Sequence, residues 1–310
     1  MTGVQTCALP ISTGDSVRFN GATTLASSVV IDTDSTDNNS EGGTITFTSS
    51  APLDSSSIGG EHNAFTLDAG TASILINANI GETNSIGTFT VEEADSGLVF
   101  GETDTNTGLG GTGPVTLINT DDAIDFGVTD NVIGGLGIVL NGGTSSGTLT
   151  IQTTGDAIRF NGATSLASNV VIDTDSTDDD SEGGDATFTV DSPIVSTLSE
   201  YNAFSLDAGT ASIVFNANIG GTTTVTALGE FTVFEADNGL TFGGADSNTG
   251  LGGAGPVTLI NTDGAIDIGT TTNVIGGAGI VLNGGSSELK LQTTSDRIRL
   301  NGAVTLDSNV

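Results

Sequence analysis

The sequence predicts an all-β chain wound as a right-handed parallel β-helix, a β-solenoid. Three observations predict it. The chain repeats itself over a long period. Its apolar residues come in short runs that alternate with polar ones. Windows rich in Ala, Leu, Glu and Lys with a helical period do not occur, and glycine, 46 residues of 310, interrupts every candidate. Self-similarity at a fixed period is the mark of stacked architectures, in which a unit buries its apolar face only against its neighbours.

The long repeat is read directly. GDSVRFNGATTLASSVVIDTDST at Gly14 returns as GDAIRFNGATSLASNVVIDTDST at Gly155, and begins again as SDRIRLNGAVTLDSNV at Ser295. NAFTLDAGTASILINANIG at Asn63 matches the stretch at Asn202, EADSGLVFG at Glu93 that at Glu235, and GPVTLINTDDAIDFG at Gly113 that at Gly255. The offsets lie between 139 and 142, since 202 − 63 = 139 and 235 − 93 = 142. They drift only in Ser, Thr, Gly and Asp stretches, as surface loops do. Matched apolar positions exchange only among apolar residues, as in Phe19, Phe160 and Leu300, which is how core positions vary. The division is therefore 12–154 and 155–294 as two long repeats, with 295–310 opening a third.

Inside the long period lie runs such as Val17–Phe19, Val29–Ile31, Ile45–Phe47, Phe65–Leu67, Ile74–Ile76, Phe89–Val91, Leu98–Phe100, Ile124–Phe126 and Ile158–Phe160. T-I-T-F-T and T-F-T-V-E alternate with period two, the pattern of half-buried strands. Ile76, Phe100, Phe126 and Ile151 are spaced by 24, 26 and 25 residues, which suggests a coil of about 24 residues. Six such coils would fill one long repeat, and about twelve at ~4.8 Å each would make a rod about 60 Å long. Asn20-Gly21, Asn141-Gly142, Asn161-Gly162, Asn283-Gly284 and Asn301-Gly302 suit the corners, where φ > 0 is often needed. The same dipeptides also mark hairpins, so tandem antiparallel β-sandwich modules stand as the alternative.

GTASILINANIGETNSIGTFTVEEADSGLVFG at Gly70 and its copy GTASIVFNANIGGTTTVTALGEFTVFEADNGLTFG at Gly209 resemble the β-strand-repeat regions of filamentous-haemagglutinin-like and autotransporter-like bacterial surface adhesins. The likeness runs through nearly all of 13–310. It implies a β-helical shaft of a secreted or cell-surface protein, with an extracellular location. Its partners would be other segments of the same long chain, with host glycans or proteins bound through regions outside this segment. Residues 1–11, MTGVQTCALPI, resemble nothing else in the chain and look like a translated sequencing adaptor; on that reading Cys7, the sole cysteine, is not native.

Charge narrows the function. Against 38 Asp and Glu stand 5 Lys and Arg, a formal net charge of −33. Nucleic-acid binding needs clustered cations, and so does adhesion to an anionic membrane surface. No apolar run approaches the ~18–20 residues of a membrane-spanning helix. Two matched loops are dense in oxygen donors, with Asp32, Asp34, Asp37 and Glu41 in the first and Asp173, Asp175, Asp178 and Glu182 in the second. This donor set suits Ca²⁺, although neither loop keeps the EF-hand spacing. The plain alternative is a solvated turn whose Asp side chains cap their own backbone. A chain this acidic repels itself, which favours some cation association.

Catalysis is not expected, and a secreted carbohydrate-active or glycan-binding β-helix module stands as the alternative to the shaft. Asp121, Asp122 and Asp125 form a carboxylate cluster, but its copy keeps only Asp263 and Asp267 around Gly264. His62, the only histidine, has Tyr201 as its counterpart. Arg18, Arg159 and Arg299 recur at matching positions and read as outward strand residues paired to a carboxylate such as Asp15 or Asp156. The Thr array around Thr44, Thr46 and Thr48 is too irregular for an ice-binding plane, and one Tyr with no Trp leaves little to stack on sugars.

Overall fold

Parallel strand pairing builds a single three-faced coil that climbs one axis. The computed structural model describes residues 14–34, 41–56, 60–101, 113–128, 131–143, 147–176, 182–197, 199–244 and 255–310. The 1–11 tail lies outside them. All strand pairs among the described residues are parallel, and the one helical element is a 3₁₀ turn at Thr224–Thr226. The antiparallel sandwich alternative is thereby set aside. Among the described residues no helix is long and apolar enough to cross a membrane.

Each coil contributes one rung to each face. The first face starts at Val17–Phe19 and passes through Ile45–Phe47, Ser73–Ile76 and Gly97–Phe100 to Ile194–Ser196; bridges through Ile219 carry it on to Leu259–Thr262 and Lys290–Thr293. The second face begins with Thr23–Leu25 and Leu53–Ser55 and crosses Ile80 by single bridges. It then runs from Leu117–Asn119 to Ile298–Leu300. The third is an unbroken ten-stranded sheet from Val29–Asp32 to Gly302–Leu306. Ten coils result, about 48 Å of rod at ~4.8 Å per coil.

The coil is not 24 residues long. Val17 pairs with Ile45, 28 residues on; Ile74 with Leu98, 24 on; Leu98 with Ile138, 40 on. Phe100 and Phe126, taken from their spacing as stacked, instead lie on different faces of one coil with ring centroids 5.5 Å apart. The regular element is the rung, three to five residues in most strands and eight in Ile133–Leu140 and Ile275–Leu282, where the register shifts. Loops inserted at the corners set the residue count freely, because loop length costs only logarithmically in closure entropy.

The long repeat therefore spans fourteen rungs, not six coils. Fourteen rungs on three faces make four and two-thirds coils. Val17–Phe19 lies on the first face, its copy Ile158–Phe160 on the third, and the next copy Ile298–Leu300 on the second. Each repeat is thus turned by one-third of a turn and displaced by roughly 22 Å.

Inward side chains form one core that crosses both repeat boundaries without a break. Phenylalanines stack along it: Phe160, Phe188 and Phe215 lie 4.9 and 4.7 Å apart with rings within 14° of parallel, and Phe204 meets Phe188 edge-on at 5.7 Å. Arg299 finds its partner in the stack. Register sets Arg159 over Asp125 and Arg299 over Asp267 in the coil below, with Arg299 Nε 3.3 Å from Asp267 Oδ1. Arg159 is 4% exposed and Asp267 3%, so both are buried although they face outward, whereas Arg299 is half-buried.

Phe188→Ala removes a ring from the middle of this stack and should cost about 3–5 kcal/mol. Val225→Ala, on the exposed 3₁₀ turn, should stay within about 0.5 kcal/mol of the parent. Urea denaturation of the two variants checks the pair.

Candidate functional site: the carboxylate corners

The acidic loops leave the shaft at corners that the strands define. In Val29–Asp32 the inward Val29 and Ile31 anchor the rung, and Asp32 ends it. Its Oδ1 accepts the Asp34 N–H at 2.7 Å, an Asx turn that starts the loop. Thr33, fully buried, closes the base: its hydroxyl donates to Gly43 O at 2.7 Å and accepts from Gly43 N at 3.2 Å. The second copy repeats every part. Asp173 Oδ1 accepts from Asp175 N at 2.9 Å, and Thr174 Oγ1 donates to Gly184 O at 2.6 Å. The self-capping expected of such turns is what Asp32 and Asp173 do.

Of the eight candidate ligands, Asp37 and Asp178 lie outside the described residues. Asp34 and Asp175 are buried and face the next coil, where a Cβ on Gly70 would sit 2.9 Å from Asp34 Oδ2 and one on Gly209 2.6 Å from Asp175 Oδ2. Those glycines hold φ of +52° and +49°, so the close approach and the left-handed backbone both require glycine. Glu41 is exposed and enters through its carbonyl, which accepts from Thr71 N at 3.0 Å; the Glu182 carbonyl does the same for Thr210 N.

The stack above supplies carboxylates that spacing did not reveal. Register places Asp68 on Asp32 and Glu93 on Asp68, a ladder of three acids across three coils. Asp207 sits on Asp173, and Ala208 N donates to Glu235 O as Ala69 N does to Glu93 O. The only sequence signal was that Asp68 and Glu93 each close a strand, as Asp32 does. Asparagines cap both ladders: Asn131 Nδ2 donates to Glu93 Oε2 at 3.2 Å, and Asn273 donates to Glu235. Because the repeat is rotated, the first ladder runs along the corner after the third face and the second along the corner after the second face. Among the described residues no three acidic, histidine or cysteine side chains are grouped closely enough to hold a metal ion.

Burial pushes the Asp68 carboxyl up to about 6. The Gly70 N–H on its Oδ1 at 2.9 Å opposes this, while Asp32, Glu92 and Asp34 add to it.

His62 lies at a different corner, between the second and third faces. Its Nδ1 is 2.9 Å from Ser85 Oγ and 3.2 Å from Ser85 O, and its Nε2 is 3.8 Å from Asp121 Oδ1. Ser, His and Asp thus meet, but without the geometry of nucleophilic catalysis. The Ser85 carbonyl competes for the Nδ1 proton. The two N–H groups after Ser85 are committed, Ile86 N to Asn119 O and Gly87 N to Asn63 O, so neither is free for an oxyanion. The second copy has Tyr201 and Ala227 at these places.

Comparison with family models, with curated proteins and with solved structures finds no match to this chain. The reading of function rests on the geometry above.

Asp68 carries a checkable consequence. Its folded value lies above the ordinary 3.8, so between about pH 4 and 6 the folded chain holds a proton that the unfolded chain has released. Stability contributed here falls as pH rises through that window. Asp68→Asn should raise the melting temperature above pH 7, and the gain should vanish below about pH 4. Thermal melts of both proteins across pH check the sign.

Proposed function

We propose that this chain is a non-catalytic shaft: a segment of a large secreted or cell-surface adhesin-like protein that holds a distal binding region away from its anchor. The observation that carries the reading is the unbroken core through ten parallel coils, with no waist at either repeat boundary. Such an object resists bending, because bending would open the inter-coil ladder and uncover the core. Its length is adjustable by whole repeats, since each copy ends on the rung geometry from which the next begins. The likeness of Gly70–Gly101 and Gly209–Gly243 to adhesin repeats supports the same reading, as does an acidic, soluble exterior. Partners are other segments of the same chain.

Extending the chain by copies of 155–294 should lengthen the rod by roughly 22 Å per copy. Negative-stain microscopy and solution scattering measure this. Particles that thicken or round up with added repeats would overturn the shaft reading.

Cations belong to the same proposal. A net charge of −33 on a rod is relieved by counter-ions, and the two ladder corners concentrate that charge. Millimolar Ca²⁺ should raise the melting temperature beyond NaCl of equal ionic strength, and Asp34→Asn with Asp175→Asn should abolish the difference. Equal shifts with both salts would assign the effect to screening alone.

A further inference from the structure

The chain holds six Asn-Gly dipeptides. At Asn238-Gly239 the glycine N–H donates to Ala236 O at 3.1 Å and the Asn238 amide to Ser212 Oγ at 2.9 Å. The other five recur at corners along the rod, and the structure treats one of them differently. Asn-Gly is the dipeptide in which a backbone nitrogen most readily attacks the preceding side-chain amide, since glycine offers no Cβ hindrance. The reaction needs a free glycine N–H and room for the backbone to turn.

Three corners deny both. Gly142 N donates to Ser168 Oγ at 2.6 Å, Gly162 N to Ser192 Oγ at 3.0 Å, and Gly284 N to Ser308 Oγ at 2.5 Å, each serine coming from the next coil. All three glycines are buried. The asparagine amides are held as well: Asn141 Nδ2 donates to Gly101 O and Asn283 Nδ2 to Gly243 O, both at 2.9 Å, and Asn161 Nδ2 to Asn131 O at 3.3 Å. At the fourth, Asn301 Nδ2 donates to Asn273 O at 3.3 Å and Gly302 is closed in by Ile275.

Asn20-Gly21 lacks these restraints. Both residues are exposed, and a Cβ on Gly21 would meet nothing within 4 Å. The equivalent of Ser192 is Ala51, in the same turn: Ala51 N donates to Thr48 O at 2.9 Å, as Ser192 N does to Thr189 O at 3.1 Å. One residue difference between the copies thus removes the hydroxyl that would engage Gly21 N. The activating contact remains. Thr48 Oγ1 donates to Asn20 Oδ1 at 2.9 Å, drawing electron density from Cγ and facing the oxygen on which negative charge builds.

We propose that Asn20 is a site of spontaneous deamidation, selected by the Ala51-for-Ser192 exchange. Hydroxide takes the Gly21 N–H proton. The nitrogen attacks Asn20 Cγ, a new N–Cγ bond closes a five-membered succinimide, and the Cγ–Nδ2 bond breaks as ammonia leaves with a proton from water. Water then opens the ring at either carbonyl, leaving aspartate or isoaspartate and no net redox change. The product places a new carboxylate, and for isoaspartate an extra backbone carbon, at a corner of the first coil.

Peptide mapping by mass spectrometry, after incubation of the whole folded chain at mildly alkaline pH, reads the rate at each Asn-Gly as the gain of one mass unit. Asn20 should lead Asn161 by roughly tenfold or more, about what one engaged hydrogen bond withholds. Ala51→Ser should slow Asn20, and Ser192→Ala should speed Asn161. In urea the six sites should react alike. Equal rates at Asn20 and Asn161 in the folded chain would overturn the proposal, as would rates that neither substitution changes.

Discussion

Everything in this molecule depends on the parallel backbone ladder between successive coils. A rung such as Ile158-Arg159-Phe160 is three residues long and holds no core by itself. It becomes stable only because Ile124–Phe126 lies beneath it and Ala186–Phe188 above, so that backbone groups pair and Phe126, Phe160 and Phe188 shelter one another. Burial belongs to the stack rather than to the rung. That explains why the corners tolerate coils of 24 or 40 residues: the ladder asks only that each strand return to the axis in register.

Much of this was legible in the sequence because the stack constrains composition directly. Inward positions must be apolar in every copy, so Phe19, Phe160 and Leu300 marked themselves, as did the absence of helix-forming windows. Coil length was not legible. The even spacing of Ile76, Phe100 and Phe126 mixed one true stacked pair with one pair on adjoining faces, and both are core contacts, so hydrophobicity could not separate them. The acidic corners divide in the same way. Asp32 and Asp34 are close in sequence and their local turn was foreseeable. Asp68 and Glu93 reach the same corner only after loops of unequal length, so their place depends on register, which no single window contains.

Fourteen rungs on a three-faced coil have an electrostatic consequence. Were the repeat a whole number of coils, each carboxylate ladder would stand above its copy on one edge, with like charges aligned along the rod. The one-third turn moves Asp173 and Asp207 to a different corner from Asp32 and Asp68. The nearest members, Glu93 and Asp173, are eight rungs apart, roughly 13 Å along the axis, and the change of corner adds lateral distance, so beyond the ~8–10 Å screening length of physiological salt the two ladders repel each other little. Repulsion within a ladder remains, and Asp68 shows it: burial and three neighbouring acids lift its carboxyl to about 6.

The few cations are placed where an error would cost most. Arg159 and Arg299 lie where one long repeat passes into the next, each over an aspartate of the copy below. A buried ion pair offers little net stability against an apolar substitute of the same shape, but a buried charge set beside the wrong partner is strongly unfavourable. A slip of one coil would put Arg159 over Thr90, the residue under Asp125 in the same column, and leave both charges uncompensated. Short apolar rungs of similar sequence are interchangeable by hydrophobicity alone and would accept such a slip. The Asp–Arg rung makes one register much better than its neighbours, once in every fourteen and with no lengthening of the strands; at Asp267, Arg297 adds a second guanidinium.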